Sequence, residues 1–147
     1  MVLNWRHKLN ICREIITLGS KRNSIYDDHN RIKSLYEVWL YHHATEIFEE
    51  KIKYLDSIVE VSPKKIIIKK LKNRWGSATK GGTINLNFNL IKAPDNVIDY
   101  IIIHELCHLI IKKHSHHFWN LLKKYVADYK TKIEWLEING KHLISWK

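Results

Sequence analysis

The fold turns on Val97-Ile98-Asp99-Tyr100-Ile101-Ile102-Ile103-His104-Glu105-Leu106-Cys107-His108-Leu109-Ile110-Ile111. This is the most apolar window of the chain, yet Asp99, His104, Glu105 and His108 interrupt it. It is too short and too polar to span a bilayer. Pro94 suits the first turn of a helix, and Asp95 places negative charge near that N-terminus. A helix from about Asp95 to Lys112, buried along one side, is therefore expected. On a helix, residues i and i+4 share a face about one turn apart. His104 and His108 then present two imidazoles that can bind one Zn²⁺. Glu105, beside the first of them, can reach a metal-bound water rather than the metal. Burying two His and a Glu among so many Ile and Leu side chains is costly without partners, and a metal supplies one.

A catalytic zinc needs a third protein ligand and an open position. His114 follows His108 closely, but an unbroken helix would carry it roughly 9 Å further along the axis. The helix must therefore end near Lys112–Lys113 and the chain fold back, with Ser115 capping a new helix. His116 and His117 are rivals by proximity, although both read first as solvated histidines. Glu134 and Glu137 offer a carboxylate alternative from a later helix. Cys107 reads as a small buried side chain rather than a nucleophile.

Working outward, Thr83 to Leu90 alternates, with Ile84, Leu86, Phe88 and Leu90 on one face and Asn85, Asn87 and Asn89 on the other. The expectation is a half-buried strand with an exposed, amide-rich face. Residues 65–71 read as a strand, and Lys80-Gly81-Gly82-Thr83 as a turn. From about Asn30 to Ile58, apolar residues at steps of three and four predict an amphipathic helix ended by Pro63. Residues 4–18 predict a shorter helix, broken at Gly19 to Asn23. Phe118, Leu121, Leu122, Tyr125 and Tyr129 give a helix after Ser115. A last helix near Ile133–Leu136 is expected to stop at Asn139-Gly140. The class is α+β, a small sheet beside a helical layer.

At 147 residues the chain suits one domain. A chain of that size buries roughly 68–70% of its unfolded surface and needs no staples. Cys12 and Cys107 cannot make a disulfide framework. Hydrophobic residues are 45% of the chain, which excludes a disordered or low-complexity protein. The N-terminus lacks the apolar core of a signal peptide, so a soluble, cytoplasmic protein with no membrane partner is expected. The formal charge of +10 fits a solvated lysine-rich surface or an anionic partner such as nucleotide or nucleic acid. No recognition helix, Walker A loop, dinucleotide fingerprint or nucleophile elbow accompanies it.

Further residues carry a resemblance. Arg74-Trp75-Gly76-Ser77, Thr83-Ile84-Asn85-Leu86-Asn87, Leu90-Ile91-Lys92-Ala93-Pro94, Asp99-Tyr100, His104-Glu105-Leu106-Cys107-His108-Leu109 and His114-Ser115 with Phe118-Trp119 occur in that order. Over about residues 35–140 the chain resembles the YgjP-like zinc-dependent metallopeptidases, related to SprT-like and WLM-type zincins. The resemblance implies a minimal zincin-like fold: a small antiparallel-containing sheet beside the HExxH active-site helix. It also implies one Zn²⁺ per chain on His104, His108 and His114, with Glu105 as general base. Metzincin peptidases have the same histidine spacing but place Gly where this chain has Ile111. Family members often have Cys where Ala78 stands, and typical members carry a β-rich N-terminal segment. Residues 1–34 do not resemble that segment and are expected to be an extension of a short helix plus loop. Residues 35–147 are expected to form the metallopeptidase domain.

The expected activity is peptide-bond hydrolysis, with a peptide or protein substrate held along Thr83–Asn89. Asn85, Asn87 and Arg74 are the candidate substrate contacts. One alternative is a metal-dependent nucleotide pyrophosphatase at the same site, using the lysines from Lys64 to Lys72. Another is a nucleic-acid-associated, SprT-like protein with zinc.

Overall fold

The computed structural model describes residues 25–144. The helix and break expected within residues 4–23 lie outside the described residues. The chain forms two compact units, Met1–His42 and His43–Lys147, divided inside the helix Ile25–Val59. Everything described below belongs to the second unit, apart from the first part of that helix.

Helix α1 (Ile25–Val59) realises the pattern expected from Asn30 to Ile58, and it runs unbroken through residues 34 and 35. Its second part buries Ala44, Phe48, Ile52, Leu55 and Val59, at the steps of three and four that mark one helical face. It stops when Glu60 adopts a left-handed φ of 58° and the Val61 N–H bonds the Asp56 carbonyl at 3.2 Å. That six-to-one bond satisfies a carbonyl the helix end would leave bare. Pro63 lies beyond this stop.

Three short strands follow: β1 (Lys65–Lys69), β2 (Gly76–Ala78) and β3 (Thr83–Asn87), in the spatial order β1-β3-β2. β1 runs parallel to β3, with Ile66 opposite Ile84 and Ile68 opposite Leu86. β2 runs antiparallel to β3, with Ser77 opposite Asn85. The β2–β3 turn needs Gly82, whose φ of +86° suits glycine and whose missing Cβ would sit 3.0 Å from Lys64 Cγ.

The strand expected to reach Leu90 ends at Asn87, and Phe88–Lys92 form a 3₁₀ turn. Asn87 causes the change: its side-chain oxygen accepts from the Asn89 N–H at 3.1 Å. The amide-rich face is also not exposed, because Asn85, Asn87 and Asn89 are all buried. Asn87 Nδ2 donates to the carbonyls of Leu71 at 2.9 Å and Arg74 at 3.2 Å, pinning the loop between β1 and β2. Its amide is thus committed to the backbone of that loop.

Helix α2 (Asp95–Ile110) is the helix expected at Asp95–Lys112. It is buried on nearly every side rather than one, from Val97 and Ile98 through Ile102 to Leu106, Cys107 and His108. A helix apolar all round belongs inside a core. Lys51 of α1 ties down its N-terminal half, with Nζ 2.8 Å from Asp99 Oδ1 and 3.5 Å from Asp95 Oδ1.

α3 (His116–Tyr125) and α4 (Tyr129–Ile144) complete the unit. Ser115 occupies the N-cap of α3, but its side chain makes no capping bond. The single helix expected to carry Tyr125 and Tyr129 is divided between them, so Tyr129 opens α4. The expected stop at Asn139-Gly140 is absent, since α4 continues through both residues. A Cβ on Gly140 would lie 3.2 Å from Trp75 Cζ2, so the glycine admits the indole to the helix surface. Among the described residues, no helix is long and apolar enough to cross a membrane.

Candidate metal centre

His104 and His108 sit one turn apart on α2, with Nε2 atoms 3.2 Å from each other. Helix α2 ends at Ile110, where Ile111 takes an extended conformation and its N–H bonds the Cys107 carbonyl at 2.8 Å. Over the next few residues the chain doubles back. His114 Nε2 arrives 2.9 Å from His108 Nε2 and 3.0 Å from His104 Nε2. The fold-back that rise per residue demanded is present, and it brings these three imidazoles together as a group able to hold a metal ion.

The protonation of the rings suits such an ion. His108 Nδ1 stands 3.0 Å from the Ile111 carbonyl oxygen, which only accepts, so Nδ1 carries the proton and Nε2 keeps its lone pair. Burial pushes His104 down to about 3, with His108 and His114 adding to the effect. Burial likewise lowers His108. Neutral imidazole is the form that binds metal. In a tetrahedral shell with bonds of ~2.0–2.1 Å, ligand nitrogens stand ~3.3–3.4 Å apart. The observed separations fall a few tenths of an ångström short of that.

Phe118, fully buried at the start of α3, stands against all three rings. Its centroid is 4.3 Å from His108 in a stacked arrangement, and 4.9 Å from both His104 and His114 edge-on. The Tyr100 hydroxyl lies at a long 3.5 Å from His104 Nδ1. Burial pushes the Tyr100 phenol up to about 12, helped by Glu105 and then Tyr129.

Glu105 is 5% exposed, and its Oε2 has no hydrogen-bond partner among the described residues. Burial pushes its carboxyl up to about 7, against the opposing pull of the Arg74 charge. The side chain packs on Gly76 so closely that a Cβ there would sit 2.8 Å from Glu105 Cγ and 2.8 Å from Oε1. The glycine of β2 thus leaves the space that the carboxylate fills.

Both features border one cleft of about 280 Å³, lined by Gly76, Ser77, Ala78, His104, Glu105, His108, Lys112 and His114. β2 is an outer strand, and its pairing decides which backbone groups face away from the sheet. Asn87 N–H bonds the Trp75 carbonyl at 2.8 Å and Thr79 N–H bonds the Thr83 carbonyl at 2.9 Å. By antiparallel alternation, Ser77 also faces β3, while Gly76 and Ala78 turn their N–H and C=O groups to the outer edge, where no strand pairs with them among the described residues. β3 is central, paired on both sides, and has no edge to offer.

The other residues singled out in the sequence are placed elsewhere. Asn87 is fully enclosed and its amide is committed to Leu71 and Arg74, so it has no surface to give a substrate. Asn85 is buried and donates to Ser77 Oγ at 3.1 Å. Arg74 is exposed and near enough for its charge to act on Glu105. His116 and His117 are exposed and outside the imidazole group, with His116 Nδ1 3.1 Å from Asn120 Nδ2. Glu134 and Glu137 lie exposed on α4, outside the cleft lining. Cys107 is buried, and burial pushes its thiol up to about 11, away from thiolate chemistry. Sequence reasoning missed β2 and Lys112 as cleft walls. The signal for β2 was available in Gly76, a lone glycine beside a tryptophan.

Comparison with known proteins gives the family and the fold. A YgjP-like, metallopeptidase domain model matches residues 6–139, beginning well before residue 35. Among solved structures, the chain is similar to the metallopeptidase zymogen of Pyrococcus abyssi abylysin, with a TM-score of 0.56 and 26% identity over 64% of this chain and 93% of that one. It is also similar to the metallopeptidase zymogen of Methanocaldococcus jannaschii jannalysin, with a TM-score of 0.53 and 26% identity over 64% and 95% of the two chains. A search of curated proteins found no match. With the family domain spanning most of its length, the chain belongs to the YgjP-like metallopeptidases.

Proposed function

We propose that this chain is a zinc-dependent peptidase in which His104, His108 and His114 hold one zinc ion and Glu105 is the general base. One observation carries the reading: three Nε2 atoms within 3.2 Å of one another share a cleft with a buried carboxylate whose Oε2 is unpartnered. Bound zinc supplies Lewis-acid chemistry, polarising a carbonyl and making water nucleophilic near neutral pH. The protein's own residues do the rest. Glu105, held against Gly76, takes a proton from the attacking water and returns it to the leaving amine. Substrate backbone pairs with the free edge of β2, accepting from and donating to Gly76 and Ala78, in β-strand addition. This moves the substrate strand from the expected Thr83–Asn89 to Gly76–Ala78, because β3 is central and, of the two outer strands, β2 is the one that lines the cleft. Arg74 stands at the start of that edge and is the candidate contact for an anionic group on the substrate; Asn85 serves by holding Ser77.

Cleavage of an extended-peptide library by the zinc-loaded chain tests the reading. Glu105→Gln is expected to lower turnover by roughly 10²–10⁴-fold with zinc retained. Unchanged turnover in that variant would remove Glu105 from the mechanism. A phosphoanhydride substrate is the second reading, supported by Lys112 in the cleft wall. Hydrolysis of nucleoside triphosphates, lost in Glu105→Gln, with no peptide cleaved, would put it first.

A further inference from the structure

The three imidazoles are held in three different ways. His108 is bonded through Nδ1 to the Ile111 carbonyl and stacked on Phe118. His104 projects from the middle of a buried helix, its Nδ1 facing the Tyr100 hydroxyl. His114 has neither advantage. It lies on the short connection between α2 and α3, it is exposed, and its Nδ1 has no hydrogen-bond partner among the described residues. A metal-ligating histidine ordinarily donates its other ring N–H to a carboxylate or carbonyl, which fixes the ring. An exposed imidazole without that bond samples several rotamers, and few of them bring Nε2 to the other two nitrogens.

A stack of rings takes the place of the missing bond. His114 lies nearly flat on Trp119, with centroids 5.5 Å apart and planes at 23°. Trp119 lies in turn on Tyr129, the first residue of α4, at 5.2 Å and 20°. The contact of Trp119 with His104 is longer and edge-on, at 6.2 Å and 64°. Neither Trp119 nor Tyr129 lines the cleft, so both stand behind the imidazole rather than beside a substrate.

Resting on the zinc-site reading above, we propose that Trp119, backed by Tyr129, is the positioning residue for His114. The stack does what an outer hydrogen bond does for other metal-bound histidines. Its physics also favours the loaded state. A metal on Nε2 draws electron density from the imidazole, and a more positive ring is held more strongly by the electron-rich face of an indole.

Zinc affinity of the metal-stripped full chain, measured by competition with a chromophoric chelator, tests this. The chains compared are wild type, Trp119→Leu, Trp119→Phe and Tyr129→Leu. Trp119→Leu is expected to weaken zinc binding by roughly 10–100-fold, the range seen when the support behind a metal ligand is removed. Trp119→Phe, which keeps a flat ring, is expected to recover most of that loss, and Tyr129→Leu to lose less than Trp119→Leu. A purely structural role would not give rescue by Phe together with a lowered zinc affinity in a chain whose metal-free melting temperature is unchanged. Should Trp119→Leu fail to fold, the ordering of wild type, Trp119→Phe and Tyr129→Leu carries the test. Equal zinc affinity across the folded variants, or Trp119→Phe no better than Trp119→Leu, would overturn the positioning role and leave the zinc site standing. No zinc bound by wild type would overturn the zinc site itself, and this role with it.

Discussion

The candidate site has two halves built on different principles. His104, Glu105 and His108 lie on α2, where helical geometry sets their spacing and burial sets their protonation. His114 comes from an exposed connection, where a chain reversal and an aromatic stack do the placing. The helical half is rigid and stores cost: a carboxyl and two imidazoles sit where charge is poorly solvated. The connecting half costs little to fold but needs help to be accurate. Preorganisation and tolerance are thus divided between neighbouring residues of one candidate metal centre.

The largest expected effect strikes the helical half. Gly76→Ala would place a methyl 2.8 Å from Glu105 Cγ and force the carboxylate to shift. Displacement of a catalytic group by about 1 Å costs on the order of 10²-fold in rate. Peptide turnover is expected to fall by that order while zinc affinity stays near wild type. Normal turnover in Gly76→Ala would mean that the position of Glu105 is not set by β2.

A smaller effect separates the halves by stability. Burial raises the Glu105 carboxyl from 4.5 to about 7, so its contribution favours folding at low pH and is lost as pH rises through about 7. His104 acts in the opposite sense: its lowered value means stability present above about 6.5 and lost as pH falls. In the metal-stripped protein at neutral pH, Glu105→Gln is expected to raise stability by on the order of 2–3 kcal/mol. His114→Ala, at an exposed position, is expected to change it by less than about 0.5 kcal/mol. Urea denaturation of the metal-free chains measures both. Equal effects from the two substitutions would erase the contrast between the halves.

The same division explains how much was legible beforehand. α2 was readable because apolar residues dominate the stretch between Pro94 and the required reversal, and helical spacing alone pairs His104 with His108. Rise per residue was enough to demand the fold-back to His114. The sheet was less legible. β2 is three residues long and contains a glycine, so its strand character comes from pairing with β3 rather than from local preference. The alternation through Leu90 was misleading because Asn87 bonds its own neighbour and starts a 3₁₀ turn. The asparagine face looked solvated, but the loop at Leu71–Arg74 folds over it and uses Asn87 as an anchor. Gly140 looked like a helix stop, yet its lack of a side chain serves Trp75, a partner far away in sequence. The early end of β3 comes from a local side-chain bond; in the other cases a local signal is overridden by a contact distant in sequence that periodicity does not carry.

The most direct test of the central claim is the metal content of the purified chain, made without a histidine tag and measured by mass spectrometry. Wild type, His108→Ala, His114→Ala and His116→Ala would be measured together. About one zinc per chain is expected in wild type and in His116→Ala, weakened binding in His114→Ala, and none in His108→Ala. No zinc in wild type even after supplementation, or loss in His116→Ala with retention in His114→Ala, would contradict that claim.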